Sequence, residues 1–165
     1  MNDRKPYGQT MRGIAKKDDK ILVVKRHPKS RHNPEQWELP GGKCEKEEYF
    51  DETLIREFKE ETGLDVELGD FYDAVQVDYP HKRTVQVIIY VDCDDFEVKI
   101  SDEHTDFKWI GKEEIKEFYE KGLLTPSLRK ALEKNDFEIY LMQNYDLFYE
   151  TENFRHRLLC CHRGF

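Results

Sequence analysis

Glu57, Glu60 and Glu61 stand at i, i+3 and i+4 in the stretch REFKEE, and a helix turning about 100° per residue would gather the three carboxylates into one narrow patch. Like charges that close repel one another and destabilise an isolated helix. A divalent cation between them removes the conflict. With only oxygen ligands in the patch, and neither His nor Cys among them, the ion favoured is a hard one, Mg²⁺ or Mn²⁺ rather than Zn²⁺. Magnesium keeps several waters and takes the rest of its shell from substrate phosphates, so the patch points to phosphate chemistry. An acidic helix face taken alone is more often simply solvated, and the residues around it have to decide between the two readings.

Those residues run, in chain order, Gly42, Glu48, Arg56, Glu57, Phe58, Glu60, Glu61, Gly63 and Leu64, with five positions between the first two and seven between Glu48 and Arg56. The stretch resembles the Nudix box at every specified position, the bulky apolar ones included. Outside it, WELPGGK at 37–43 is similar to the segment leading into the box in MutT-like members, and ILVVKR at 21–26 resembles the strand before that. DYPHKRTVQV resembles their proline-containing strand entry, and EHTDFKW their late loop, with Glu103 six residues ahead of Trp109. The resemblance covers roughly residues 9–134.

That resemblance implies a Nudix-type α/β/α sandwich with a mixed β-sheet between helices, and a hydrolase cleaving nucleoside diphosphate linkages with Mg²⁺ or Mn²⁺. It implies Glu57, Glu60 and Glu61 as metal ligands, joined by the carbonyl of Gly41, and Glu103 as either a further ligand or the general base. Arg56 would orient the box glutamates by ion pairing, with Glu48 as its partner, so that Arg56, Glu57, Glu61 and Glu103 carry the catalysis. Glu103 lies in SDEHTD, where a carboxylate without employment is common. A nucleoside triphosphate, released as monophosphate and pyrophosphate, is the first substrate reading; ADP-ribose or a nucleotide sugar is the second. A nucleotide-sensing module of the same fold is the reading from another class, and the intact acidic positions oppose it. Guanine-selecting relatives carry an asparagine just before the last helix; Thr125 stands there instead, so guanine specificity is not implied.

Other side chains suit a phosphate-bearing ligand without being required by it. Arg26 at a strand end and Lys43 at the glycine turn flank the expected cleft and suit phosphate oxygens, although cations at strand ends are commonly solvated. Tyr79, with Pro80 and Lys82 beside it, would stack on a base or sugar or else pack into the core. His27 and His32 lie in the loop before Trp37. His156, Cys160, Cys161 and His162 lack the separated cysteine pair of a structural zinc site.

The elements that must hold these groups can be read from periodicity. TMRGIAKKDDKILVVKR reads as two strands joined by a turn at Lys17 to Asp19, followed by a Pro-, Asn- and Gly-rich loop up to Trp37. Phe50, Leu54 and Phe58 recur four apart with Ile55 beside them. This spacing predicts a helix from about Glu47 to Thr62, closed by Gly63, with its apolar stripe a quarter turn from the carboxylates. VELGDFYDAVQVDY and RTVQVIIYVDC follow as strands, the second apolar enough to be central. DFKWI adds a short strand, GKEEIKEFYEKG a helix stopped by Gly122, and TPSLRKALEK a last helix with Thr125 as N-cap and Pro126 at its first position.

The whole chain has 165 residues, enough for one domain with a core, and 38% hydrophobic content. Residues 1–134 form the expected domain and 135–165 an aromatic-rich extension without a clear period. In that extension, Phe137 to Tyr149 would dock on the domain or across a homodimer. A net charge of −8 disfavours a nucleic-acid polymer as partner, and leaves a small nucleotide met by a cation and local Lys and Arg. The polar N-terminus, with no leader pattern, and the absence of membrane-length apolar runs predict a cytoplasmic protein away from membranes. Four scattered cysteines then read as free thiols.

Overall fold

The computed structural model describes residues 5–136. Six strands and three helices follow one another there: β1 Tyr7–Lys17, β2 Lys20–Arg26, β3 Trp37–Glu38, α1 Phe50–Thr62, β4 Glu67–Asp78, β5 Arg83–Asp92, β6 His104–Ile110, α2 Lys112–Glu120 and α3 Pro126–Lys134. The sheet order is β3-β2-β1-β5-β4, with β6 on the other side of β2. β1 and β5 run parallel, while β4 pairs β5 and β6 pairs β2 antiparallel. The sheet is therefore mixed, and β5 lies inside it, as its apolar composition predicts. Helix α1 covers one face through Leu54 and Phe58, against Met11, Ala15, Leu22 and Ile89. Helices α2 and α3 cover the other through Ile115, Phe118, Leu128 and Leu132, against Ile14, Ile21, Val75 and Ile88. This is the expected sandwich.

One departure from regular pairing makes room for a site. β1 and β2 are joined only next to their hairpin, at Lys16↔Ile21 and Lys17↔Lys20, where Asp18 takes a left-handed φ of 55°. Further along, the two strands part, and the edge of β1 is taken by the segment after β3. Gly13 N–H donates to Pro40 O at 2.9 Å, Met11 N–H to Gly42 O at 2.8 Å and Cys44 N–H to Gln9 O at 3.2 Å. WELPGGK is thus held between the two arms of the sheet by main-chain bonds. Gly41 has φ of 126° and sits against the Met11 carbonyl, a place and a conformation that a Cβ would not allow.

Helix α1 starts later than its periodicity predicts, at Phe50 rather than near Glu47, because Glu47 adopts φ of 71° and breaks the helical run. It ends as expected, on Gly63 at φ 74° with its N–H on Lys59 O. Its buried face is Thr53, Leu54, Phe58, Glu61 and Thr62. Phe50 and Ile55, expected on the apolar stripe, are 52% and 43% exposed. The stripe that meets the sheet runs instead from Leu54 through Phe58 to Glu61, at i, i+4 and i+7. One of the carboxylates therefore lies on the packed face and not a quarter turn away from it. At the last helix Pro126 is the first residue as predicted, but Thr125 is buried and its Oγ1 lies 3.5 Å from Ser127 Oγ without capping a backbone N–H.

Among the described residues Cys44 and Cys93 are free thiols, and no helix is long and apolar enough to cross a membrane. The docking expected of Phe137 to Tyr149, and the His156, Cys160, Cys161 and His162 group, fall outside the described residues.

Candidate active site

A cleft of about 300 Å³ opens where β1 and β2 part. Gly41, Glu57, Glu61 and Glu103 line it together with Arg26, Lys43, Tyr79 and Lys82. Residues far apart in sequence, from five separate segments, are thus brought to one place. Arg56 and Glu60 stand outside it.

The acidic wall has two parts with different surroundings. Glu61 is 5% exposed and accepts the Gly41 N–H at 2.8 Å through Oε2. Burial, reinforced by neighbouring Glu38 and opposed by Arg12 and His104, pushes its carboxyl up to about 7. Glu57 is half-buried against Gly42, where a Cβ would overlap its carboxylate. Burial raises its pKa too; Arg56 opposes that rise, while Glu60 and Glu103 add to it. Glu103 is exposed on the turn ahead of β6, and its carbonyl accepts the His27 N–H at 3.0 Å.

Arg56 resolves much of the repulsion that spacing alone assigns to a cation. Its Nε and Nη2 donate to the two oxygens of Glu48 at 2.7 and 3.0 Å. Its Nη1 reaches Glu57 at 3.0 Å and Glu60 at 3.2 Å. Glu48 also accepts from Glu45 N–H at 3.1 Å and Thr53 Oγ1 at 2.8 Å, and the Arg56 bonds, with these, hold its carboxyl down at about 2. Glu60, its side chain 61% exposed, thus shares one guanidinium nitrogen with Glu57, while Glu61 lies on the packed face. Among the described residues no three His, Cys, Asp or Glu side chains converge closely enough, as they stand, to hold an ion.

The donor set nevertheless fits a hard cation. Glu57, Glu61 and Glu103 present carboxylate oxygens to one cleft, the two buried ones carry charge that burial disfavours, and the missing Cβ of Gly42 lets Glu57 approach the glycine turn. Oxygen ligands without nitrogen or sulfur suit Mg²⁺ or Mn²⁺.

Beneath this wall lies a charged network that the sequence reading did not single out. Arg12, 8% exposed, donates to Leu39 O and to Glu38 Oε2, both at 2.9 Å, and Nη1 also meets the Gly41 carbonyl. That carbonyl, expected as a metal ligand, therefore already accepts one bond. Arg26 pairs with the other oxygen of Glu38 and donates to His32 O at 2.9 Å. Burial pushes the Glu38 carboxyl up, but Arg12, His104 and Arg26 outweigh burial and hold it below its ordinary value. The His104 ring, 1% exposed, puts Nε2 3.6 Å from Glu38 and 3.9 Å from Glu61. The visible signal was Arg12 itself, a charge inside an otherwise apolar strand segment, since such a group needs a buried partner.

Across the cleft the rim is basic and aromatic. His32 and Tyr79 lie with ring centroids 5.2 Å apart, and Lys82 Nζ sits 5.7 Å over the Tyr79 ring. Slight desolvation and then Arg31, Lys82 and Arg26 depress the His32 pKa, which marks this lip as a region of positive potential. Thr84 and Gln86, both buried on β5, also line the cleft.

Known proteins share the fold and part of the sequence. The NUDIX domain model matches residues 9–134. An 8-oxo-dGTP diphosphatase of Proteus vulgaris is 35% identical over 83 residues, spanning 50% of this chain and 73% of that protein. An ADP-ribose pyrophosphatase of Methanocaldococcus jannaschii is 34% identical over 96 residues, 55% of this chain and 54% of that one, so the matched part is about half of its length. In structure, the MutT protein from Methanosarcina mazei Go1 superposes with a TM-score of 0.73 at 29% identity, over 82% of this chain and 96% of the other.

Proposed function

The chain belongs to the NUDIX family and is a hydrolase acting on pyrophosphate bonds, and from that premise we propose that it cleaves nucleoside diphosphate linkages with a divalent cation, converting a nucleoside triphosphate to monophosphate and pyrophosphate. The observation that supports this reading most is the lining of one cleft by the carboxylates Glu57, Glu61 and Glu103 together with Arg26, Lys43, Lys82 and the rings of His32 and Tyr79. Such a cleft accepts a phosphate chain along the wall and a base at the lip.

Glu57 and Glu61 would hold the cation, and the Gly41 carbonyl, which has two lone pairs and gives one to Arg12, would offer the second. When bound, Mg²⁺ or Mn²⁺ neutralises charge on the reacting phosphates and lowers the pKa of a bound water. Glu103, exposed and free to approach the substrate, takes the proton of the attacking water. Arg56 orients Glu57 through the pairing at 3.0 Å and opposes the rise that burial gives its pKa, and Glu60 shares the same guanidinium. Arg26, Lys43 and Lys82 meet phosphate oxygens. Tyr79 and His32 stack against the base. The net charge of −8 fits a small nucleotide gripped by local cations rather than a polymer.

A second reading, ADP-ribose or a nucleotide sugar, is favoured by the likeness to the Methanocaldococcus jannaschii protein. One experiment tests both: product analysis of purified protein with nucleoside triphosphates, ADP-ribose and nucleotide sugars, with Mg²⁺ and with EDTA. Pyrophosphate release from a triphosphate is the result expected. Turnover of ADP-ribose or nucleotide sugars alone would move the assignment to the second reading, and binding without turnover of any would make the chain a nucleotide-sensing module.

A further inference from the structure

We propose, building on the cation site read from the cleft, that Arg12 is a positioning residue of that site: its guanidinium fork sets the direction of the Gly41 carbonyl, and cation affinity depends on the fork rather than on its charge.

The Gly41 carbonyl belongs to the peptide between two glycines, Gly41 and Gly42, whose orientation side-chain sterics do little to fix. The register along the edge of β1 supplies the missing constraint. Met11 N–H donates to Gly42 O at 2.8 Å and Gly13 N–H to Pro40 O at 2.9 Å, which puts Arg12 directly across from Gly41. The Arg12 Cα lies 3.0 Å from the place that a Gly41 Cβ would take. From there Nη1 donates to the Gly41 carbonyl and, at 2.9 Å, to Leu39 O. The Gly41 N–H in turn donates to Glu61 Oε2 at 2.8 Å. Gly41 is thus held through its carbonyl by Arg12 and through its amide by Glu61, and a shift of this one residue disturbs two groups that face the ion.

Arg12 is itself firmly held. It is 8% exposed, its Nη2 donates to Glu38 Oε2 at 2.9 Å, and Arg26 takes the other Glu38 oxygen. The buried His104 ring has its Nε2 3.6 Å from Glu38 and 3.9 Å from Glu61, between the carboxylate that anchors Arg12 and the one that holds Gly41. One planar group therefore meets three acceptors fixed by the fold, two carbonyls and a carboxylate. A lysine ammonium carries the same charge at a single point and lacks the rigid fork, so it cannot serve all three at these separations. Changing a group that orients a metal ligand typically costs about 10- to 100-fold in metal affinity or activity. Arg12 also lines the cleft, and the rival role for a guanidinium there is direct contact with a substrate phosphate.

Mn²⁺ titration followed by electron paramagnetic resonance, on the unaltered chain and on Arg12→Lys, separates these roles when steady-state kinetics are measured beside it. The substitution keeps the net charge, so a change in affinity reports geometry. Arg12→Lys should bind Mn²⁺ at least about tenfold more weakly and lose kcat by a similar factor at saturating metal, while KM for the nucleotide stays near that of the unaltered chain. Unchanged Mn²⁺ affinity with only a lower melting temperature would leave Arg12 a structural role and overturn the proposal. Unchanged Mn²⁺ affinity with a raised KM would make Arg12 a phosphate contact and overturn it equally. Failure of the unaltered chain to bind Mn²⁺ would overturn the cation reading itself, and the proposal with it. A second measurement needs no variant and stands even where Arg12→Lys fails to fold. In arginine side-chain nitrogen NMR of the unaltered chain, Mg²⁺ alone should shift the Arg12 resonances, because one carbonyl serves both guanidinium and ion; a shift that requires nucleotide would contradict the proposal.

Discussion

At the scale of single residues, the carboxylates of Glu57 and Glu61 are held at the cleft by different means, the first by Arg56 and the second by the Gly41 N–H. Glu57→Gln and Glu61→Gln should each lower kcat by about 10²-fold or more while the far-ultraviolet circular dichroism stays that of the unaltered protein, because charge stabilisation of this kind is usually the largest catalytic contribution. Steady-state rates near those of the unaltered protein in either variant would remove that residue from the mechanism. The raised pKa of Glu61 also has a stability signature. The folded state holds this proton more tightly than the unfolded state does, so in EDTA the contribution of Glu61 to stability is fully present below about 4.3, the ordinary glutamate value, and is lost as pH rises to about 7. The loss is at most about 4 kcal/mol by linkage, and Glu57, raised in the same direction, adds to it. Glu61→Gln should flatten this part of a thermal-melt profile; an unchanged slope would mean that Glu61 is not the buried acid responsible. Residue types in the box were legible from spacing, which fixes only positions around a helix axis. That Glu60 would turn to Arg56, and that Glu61 would lie on the packed face, depended on where the sheet meets the helix. Arg12, Glu38 and His104 come from three distant segments, and no local pattern announces such a meeting.

At the scale of elements, the glycine turn between β3 and α1 makes a paired prediction. Gly42→Ala puts a Cβ into the Glu57 carboxylate, the far end of a flexible side chain, whereas Gly41→Ala meets the Met11 carbonyl at a φ of 126°. The first should keep the melting temperature within a few degrees and lose most activity as Glu57 swings away. The second should lower stability markedly, since neither the backbone nor the left-handed φ can adjust cheaply. Equal effects of the two on melting would contradict the geometry. Phe58, fully buried under the sheet, should cost about 3–5 kcal/mol when cut to alanine, measured by denaturant unfolding. Strands, helix order and the central place of β5 followed from apolar periodicity, and the C-cap of α1 from Gly63. The start of α1 did not, because Glu47 takes a left-handed φ that nothing in its residue type requires. The exposure of Phe50 and Ile55 was equally hidden, since periodicity ranks faces but not the reach of the opposing sheet.

At the scale of the whole molecule, the parting of β1 and β2 leaves a cleft in which Glu57, Glu61 and Glu103 meet Arg26, Lys43 and Lys82, in a protein of charge −8. Binding of Mg²⁺ to the folded state alone should stabilise it by about 2.7 kcal/mol at a hundredfold excess over Kd, visible as a higher melting temperature in Mg²⁺ than in EDTA. Identical midpoints would mean that the resting cleft does not hold the ion. The gain should shrink in Glu61→Gln and change little in Glu60→Gln, because Glu60 is paired to Arg56 outside the cleft.

The most direct measurement of the central claim is the rate of pyrophosphate release from a set of nucleoside triphosphates, taken with Mg²⁺, with EDTA, and with Glu61→Gln in Mg²⁺. Rapid release that requires Mg²⁺ and falls by about 10²-fold or more in the variant is the result predicted. Release that persists in EDTA, or that Glu61→Gln leaves unchanged, would contradict the assignment of this cleft as the place where the phosphate bond is cut.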